Sequence, residues 1–252
     1  MLPTDPKNRM KANKIELELC TDSVEGAEMA STFGLNRIEL CSALSEGGLT
    51  PSYGLIKAVR ESANCEIHLM IRPYGGPFQM DSKALNLAET DMERAADLGV
   101  EGVVFGLLTE DNGLDLKHNA RLLSKAKGLG LQCTFHRAFD FVSSPKNALE
   151  QLIDLGFDRL LTSGQKDKAI DGLDLLLDLV NQSSGRIQVM AGSGVNAQNA
   201  RAFLEAGIRH LHFTSHQINA PFEQLSMGQK FEPNPAKVND ILALASDFEQ
   251  GN

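Results

Sequence analysis

Two short stretches of this sequence carry residues whose types and spacing can do chemistry, and they echo each other. Glu18-Leu19-Cys20 closes the run Ile15–Cys20, and Glu39-Leu40-Cys41 closes the run Arg37–Cys41. Both runs alternate apolar and polar residues, the period of a β-strand. Leu17, Leu19, Ile38 and Leu40 then face one way, and Glu16, Glu18, Cys20, Arg37, Glu39 and Cys41 face the other. On parallel neighbouring strands about 4.8 Å apart, Cys20 and Cys41 are expected side by side at one level, where two thiols can share an ion. Soft thiolates select Cu(I), or Zn(II) when further ligands join, with Met70 and His136 as the candidates to join. The competing reading is that the two are ordinary buried cysteines. Cys65, which precedes a strand, and Cys133, of opposite parity, fit that second reading better.

Other groups gather at predicted strand ends. Glu18, Glu39 and His136 are acid–base candidates, and Arg72 and Arg137 are candidate anion clamps. His136 and Arg137 lie in Phe135-His136-Arg137-Ala138-Phe139-Asp140, where Arg137 and Asp140 can also simply pair. Gly192-Ser193-Gly194, expected between a strand and a helix capped by Asn196, is a candidate anion site, with Ser163-Gly164 contributing. A tight turn is the alternative there.

These residues need a scaffold that brings strand ends together. From Ile15 onward the chain repeats a strand followed by a helix-length amphipathic segment, eight times. Five of the helices close on Gly34, Gly99, Gly130, Gly156 and Gly207. Eight such units in 252 residues have the rhythm of an α/β fold of the (β/α)8 TIM-barrel type, spanning residues 15–252 as a single domain. A doubly wound open sheet is the weaker alternative, because no Gly-rich dinucleotide fingerprint follows the first strand. Residues 1–14 read as a flexible N-terminal tail. Inward positions look unusually polar: Glu16, Glu18, Arg37, Glu39, His68, Arg72, Gln132, Thr134, His136, His210 and His212. Buried carboxylates need partners, and Arg37, Arg72 and the inward histidines are expected to supply them. Near the strand starts, Glu16 and Arg37 read as structural.

The net charge of −9 argues against nucleic acid or an anionic membrane surface as partner. There is neither an apolar run long enough to span a bilayer nor a signal-peptide core, so the expected location is cytoplasmic, with reduced thiols.

The chain resembles the CutC family, usually called copper homeostasis proteins. The resemblance rests on Glu39-Leu40-Cys41, Glu46-Gly47-Gly48-Leu49-Thr50-Pro51-Ser52, Ile71-Arg72-Pro73, Val104-Phe105-Gly106, Thr134–Asp140 and Leu161-Thr162-Ser163-Gly164-Gln165. It implies a (β/α)8 barrel, a cytoplasmic location, a homodimer or higher homo-oligomer, and Cu(I) handling through cysteines matching Cys20 and Cys41. Where the family usually continues Arg-Gly-Gly-Asp-Phe after Arg72-Pro73, this chain has Tyr74-Gly75-Gly76-Pro77-Phe78, losing one positive and one negative group. The alternative function is a barrel enzyme, a lyase, isomerase or hydrolase, acting on a small anionic metabolite.

Overall fold

The structure, a computed structural model, describes residues 14–218 and 231–251. Apart from Lys14, the expected 1–14 tail lies outside the described residues.

Eight parallel strands close into one barrel. They are β1 (Glu16–Thr21), β2 (Arg37–Leu40), β3 (Glu66–Met70), β4 (Gly102–Phe105), β5 (Gln132–Phe135), β6 (Arg159–Thr162), β7 (Gln188–Val195) and β8 (His210–Thr214). The helices α1 (Val24–Thr32), α2 (Tyr53–Ser62), α3 (Ser82–Asp97), α4 (Leu116–Gly128), α5 (Pro145–Leu155), α6 (Leu173–Ser183), α7 (Ala197–Glu205) and α8 (Pro235–Gln250) follow in turn. The side chains of Ser52, Asp81, Asp115, Asn196 and Asn234 cap α2, α3, α4, α7 and α8 by accepting from backbone N–H groups of the first turn. Gly34 and Gly156 turn the chain back toward the next strand with φ of 70° and 96°, a conformation open to glycine at little cost.

Four details depart from the sequence reading. The sequence offers Asp22, with Glu25 three residues on, as the cap of α1, but the cap is Ser23, whose hydroxyl accepts from the Gly26 N–H. Strand β7 runs on through Gly192-Ser193-Gly194 to Val195, and a register shift against β8 absorbs the extra residues. The sequence predicts one helix over about Lys168–Asn181, which the structure splits into a short 3-10 turn (Ala169–Gly172) and α6. A small antiparallel pair, β9 (His216–Ile218) with β10 (Phe231–Pro233), precedes α8.

Leu17, Leu19, Ile38, Leu40, Ile67 and Leu69 are buried in the main apolar core, as the outward parity predicts. The barrel interior is polar: Glu18, Arg37, Glu39, His68, Thr134, Arg159 and His212 are all buried. Two inward glycines make the room. A Cβ on Gly102 would lie 2.7 Å from the His68 ring, and one on Gly192 would lie 2.5 Å from Leu161.

Candidate functional site

The register of β1 sets the site. Glu18 stands opposite Arg37 on β2 and His212 on β8, and Cys20 stands opposite Glu39 and Thr214. Cys41 follows β2 two residues above Glu39, so the thiols are not at one level, as the sequence reading had placed them. Strands of a closed barrel stagger against each other, and that stagger seats a carboxylate beside Cys20. Both thiols nonetheless reach the same atom. Cys20 Sγ is 3.3 Å and Cys41 Sγ 3.5 Å from Glu39 Oε2. Cys20, Cys41, Met70 and Val104 form a small apolar cluster apart from the main core, whereas Cys65 and Cys133 belong to the main core. Gly48 crosses above it, so close that a Cβ there would come within 3.2 Å of Cys41 Sγ and 3.3 Å of Met70 Cε.

Beneath the thiols lies an ion network. Arg37 Nε donates to Glu18 Oε2, and its Nη1 lies 3.4 Å from Glu16 Oε2. Glu18 Oε1 holds His212 Nδ1 at 2.7 Å, and His212 Nε2 lies 3.7 Å from Glu39 Oε2. Burial alone would raise the Glu18 carboxyl, but the Arg37 charge and His212 outweigh it and hold the group below the usual carboxylate range. Burial would likewise lower His212, yet Glu39, Cys20 and Glu18 raise it well above an ordinary histidine. Burial and the neighbouring Cys20 charge push Glu39 up. Cys20 is lowered to about 5 by its hydrogen bond with Cys41, against burial and with help from His212. Cys41 moves the opposite way, raised by its bond to Cys20 and by burial. These shifts favour a thiolate at Cys20 and a charged imidazole at His212.

Above this floor opens a cavity of about 370 Å³ whose lining includes Cys20, Glu39, Cys41, Arg72, His136, Arg137 and His212. A second cavity of about 320 Å³, beside the loop that follows β3, shares Arg72, Phe78 and His136 with it. Burial first, then the Arg72 charge, lowers His136 to about 3, so its ring is neutral. Its Nδ1 accepts from the Ala138 N–H, which leaves the ring proton on Nε2. Arg72 does not pair with an inward carboxylate, as expected from sequence. It donates to the carbonyls of Glu46, Gly48 and Gly76, tying together the loops after β2 and β3.

The candidate anion residues border this group without lining the cavity. Asp140 accepts from the Ser163 N–H and hydroxyl, the Thr162 hydroxyl, the Gln165 N–H and Arg137 Nε. The Gly164 N–H donates to Thr162 Oγ1. The amides of Ser163 and Gly164 are thus spent within the loop that Asp140 organises. Gly192, Ser193 and Gly194 lie in the bulged end of β7, with the Ser193 hydroxyl donating to the Asp167 carbonyl and the Gly194 carbonyl accepting from Asn196 and Asn199. The structure therefore brings together Cys20, Cys41, Glu18, Glu39, Arg72, His136 and Arg137, with Ser163 hydrogen-bonded to Arg137 and Gly192 lying against His212 at the edge of the group. His212, which sequence reasoning read only as an inward histidine, joins Cys20 and Glu39 at the centre. Its signal was available: β8 closes on β1, and His212 has the parity of Glu18.

Known proteins share this sequence and this barrel. The CutC family pattern matches residues 15–217. The chain is 45% identical to the family protein CutC of Pasteurella multocida (strain Pm70) over 237 residues, 94% of this chain and 92% of that one. It is also 45% identical to the family protein CutC of Bacteroides fragilis over 235 residues, 92% of this chain and 90% of that one. Among solved structures, that of the copper homeostasis protein CutC from Streptococcus agalactiae superposes with a TM-score of 0.74 at 33% identity, covering 79% of this chain and 97% of that one. Thiamine phosphate pyrophosphorylase from Pyrococcus furiosus shares the fold alone, with a TM-score of 0.60 at 18% identity, over 94% of this chain and 98% of that one. From its closed eight-stranded barrel, its paired strand-end cysteines and these relatives, the chain belongs to the CutC family.

Proposed function

We propose that the protein serves copper homeostasis by binding Cu(I) through Cys20 and Cys41 at the mouth of the barrel. One observation carries the reading: two thiols converge on a single oxygen of Glu39 at the floor of an open cavity, one of them poised as a thiolate. Cu(I) is a soft ion that thiolates and thioethers favour, and Met70 packs in the same cluster. All four cysteines are free thiols, which suits a reducing compartment, and we place the protein in the cytoplasm. No helix among the described residues is long and apolar enough to cross a membrane. An anaerobic Cu(I) competition titration tests the reading. The wild type should bind stoichiometric Cu(I), and Cys20→Ser/Cys41→Ser should lose it; equal, weak binding by both would end the copper reading.

A second reading, an enzyme acting on a small anionic metabolite, draws on Arg72. This buried cation donates to three carbonyls, lies over the Phe78 ring and leaves its Nε without a hydrogen bond, at the wall shared by both cavities and beside a neutral histidine. A panel of small carboxylates and phosphates should then raise the melting temperature of the wild type more than that of Arg72→Ala. No shift with any of them, or equal shifts in both proteins, would remove this reading.

A further inference from the structure

The centre of the site holds a donor set that copper binding through two thiols does not use. Cys20 Sγ, Glu39 carboxylate and His212 Nε2 come from β1, β2 and β8, three adjacent strands, and each of the three residues is more than nine-tenths buried. Their ligand atoms lie within 4.8 Å of one another. Two of the edges are 3.3 Å, from Cys20 Sγ to Glu39 Oε2, and 3.7 Å, from His212 Nε2 to the same oxygen. Zinc bonds of about 2.3 Å to sulfur and about 2.0 Å to nitrogen or oxygen, at tetrahedral angles, require ligand atoms about 3.3–3.6 Å apart. Both edges stand close to the spacing that one tetrahedral ion imposes, and the third is within 4.8 Å.

Two further observations point to a cation. His212 is held through Nδ1 by Glu18 Oε1 at 2.7 Å, and Arg37 fixes Glu18 from the other side. A carboxylate on the far nitrogen is the arrangement that orients a metal-binding imidazole, and it turns Nε2 toward Cys20 and Glu39. Glu39 Oε1 is buried without a hydrogen-bond partner, a vacancy that is costly unless a ligand fills it. Donor type selects the kind of ion: one sulfur, one imidazole nitrogen and one carboxylate oxygen suit a borderline ion such as Zn(II), whereas Cu(I) favours sulfur alone. Cys41, although 3.5 Å from Glu39 Oε2, falls outside the mutually close trio.

We propose that Cys20, Glu39 and His212 form a three-ligand site for a borderline-soft divalent ion of the Zn(II) type, with its fourth position open to the cavity. The site shares Cys20 with the copper reading but does not depend on it. A three-ligand set with an open position is the form that catalytic zinc takes, because the fourth position can bind water or substrate. The cavity at that position is lined by His136, Arg137 and Phe78, enough to receive a small polar molecule.

Cobalt(II) reports on this directly. Anaerobic titration of the purified wild type with Co(II) should give a thiolate-to-cobalt charge-transfer band and the visible bands of a four-coordinate ion, saturating at one ion per chain and displaced by Zn(II). Cys20→Ser should abolish the charge-transfer band. His212→Gln should weaken Co(II) at least about 100-fold, and Glu18→Gln, which releases only the far nitrogen, about 10- to 100-fold. Cys41→Ser should keep the Co(II) spectrum while losing Cu(I), which separates this site from the copper pair. Circular dichroism of each variant checks that it is folded. A wild type without the cobalt spectrum would overturn the proposal, as would folded Cys20→Ser and His212→Gln variants that bind Co(II) as the wild type does.

Discussion

Replacing Glu18 with Gln tests the network that supports the site. Glu18 is 1% exposed and lies between Arg37, whose side chain is 3% exposed, and His212. Removing one member of a buried ion pair costs about 3–5 kcal/mol, because the remaining charge is left without compensation. Two features place this case at the lower end. Gln keeps the shape and one acceptor oxygen for Arg37 Nε, and Glu16 stays 3.4 Å from Arg37 Nη1. A loss of about 3 kcal/mol lowers the melting temperature of a domain this size by roughly 6–12 °C. The pH dependence is a second, independent readout. The folded-state pKa of Glu18 is depressed, so its stabilisation is fully present above the unfolded value and is lost as pH falls toward the folded one. Below about pH 4.3 the gap between wild type and variant should therefore close by about 1.4 kcal/mol per pH unit. Thermal and urea unfolding at neutral pH and at about pH 3.5 measure both effects. A melting temperature within about 2 °C of wild type at neutral pH, or a gap that does not narrow in acid, would refute the reasoning, since neither fits a carboxylate held by Arg37 and His212.

His212→Gln should show the opposite pH signature. Its folded-state pKa is raised, so its stabilisation is complete below the unfolded value of about 6.5 and fades as pH rises; the stability gap to wild type should be largest in mild acid and shrink above neutrality. Gly102→Ala should cost about 1–3 kcal/mol in urea unfolding, because the new methyl overlaps the His68 ring at 2.7 Å. The same variant should bind Cu(I) as the wild type does, because Gly102 contacts neither thiol; weakened binding would mean that the His68 layer positions the site.

The barrel was legible because its strands carry a pattern stronger than usual. A sheet covered by helices on one side and packed on itself on the other normally reads as continuous apolar runs. Here the inward side is charged, so β1, β2 and β8 alternate and their parity can be read directly, and the inward residues of β1 stand opposite inward residues of β2 and β8. What could not be read is how strands slide against one another. Alternation fixes which face a residue takes but not its height, and the stagger that puts Glu39 opposite Cys20 arises only when the barrel closes. Local chemistry misled in two places. Asp22 and Ser23 are both good caps, and only backbone geometry chooses Ser23. Gly192-Ser193-Gly194 looks like a turn, yet it serves a bulge within β7. The three-residue strands β9 and β10 are too short to carry any period.

The division that sequence suggests, structural residues at the strand starts and functional ones at the strand ends, does not survive the side-chain contacts. Arg37 touches Glu16 and Glu18, Glu18 holds His212, and His212 faces Glu39 beside Cys20. Each link fixes the orientation or the charge of the next, so the chemistry of the mouth depends on a guanidinium one layer down. His212 also stands 194 residues from Glu18 along the chain, so the link forms only once the last strand has docked on the first. The lowered pKa of the Cys20 thiol is then a property of the closed barrel rather than of its local sequence. The same reasoning explains why charged groups sit where bulky apolar side chains would pack well: an apolar interior would leave no way to orient His212 or to place negative charge at Cys20.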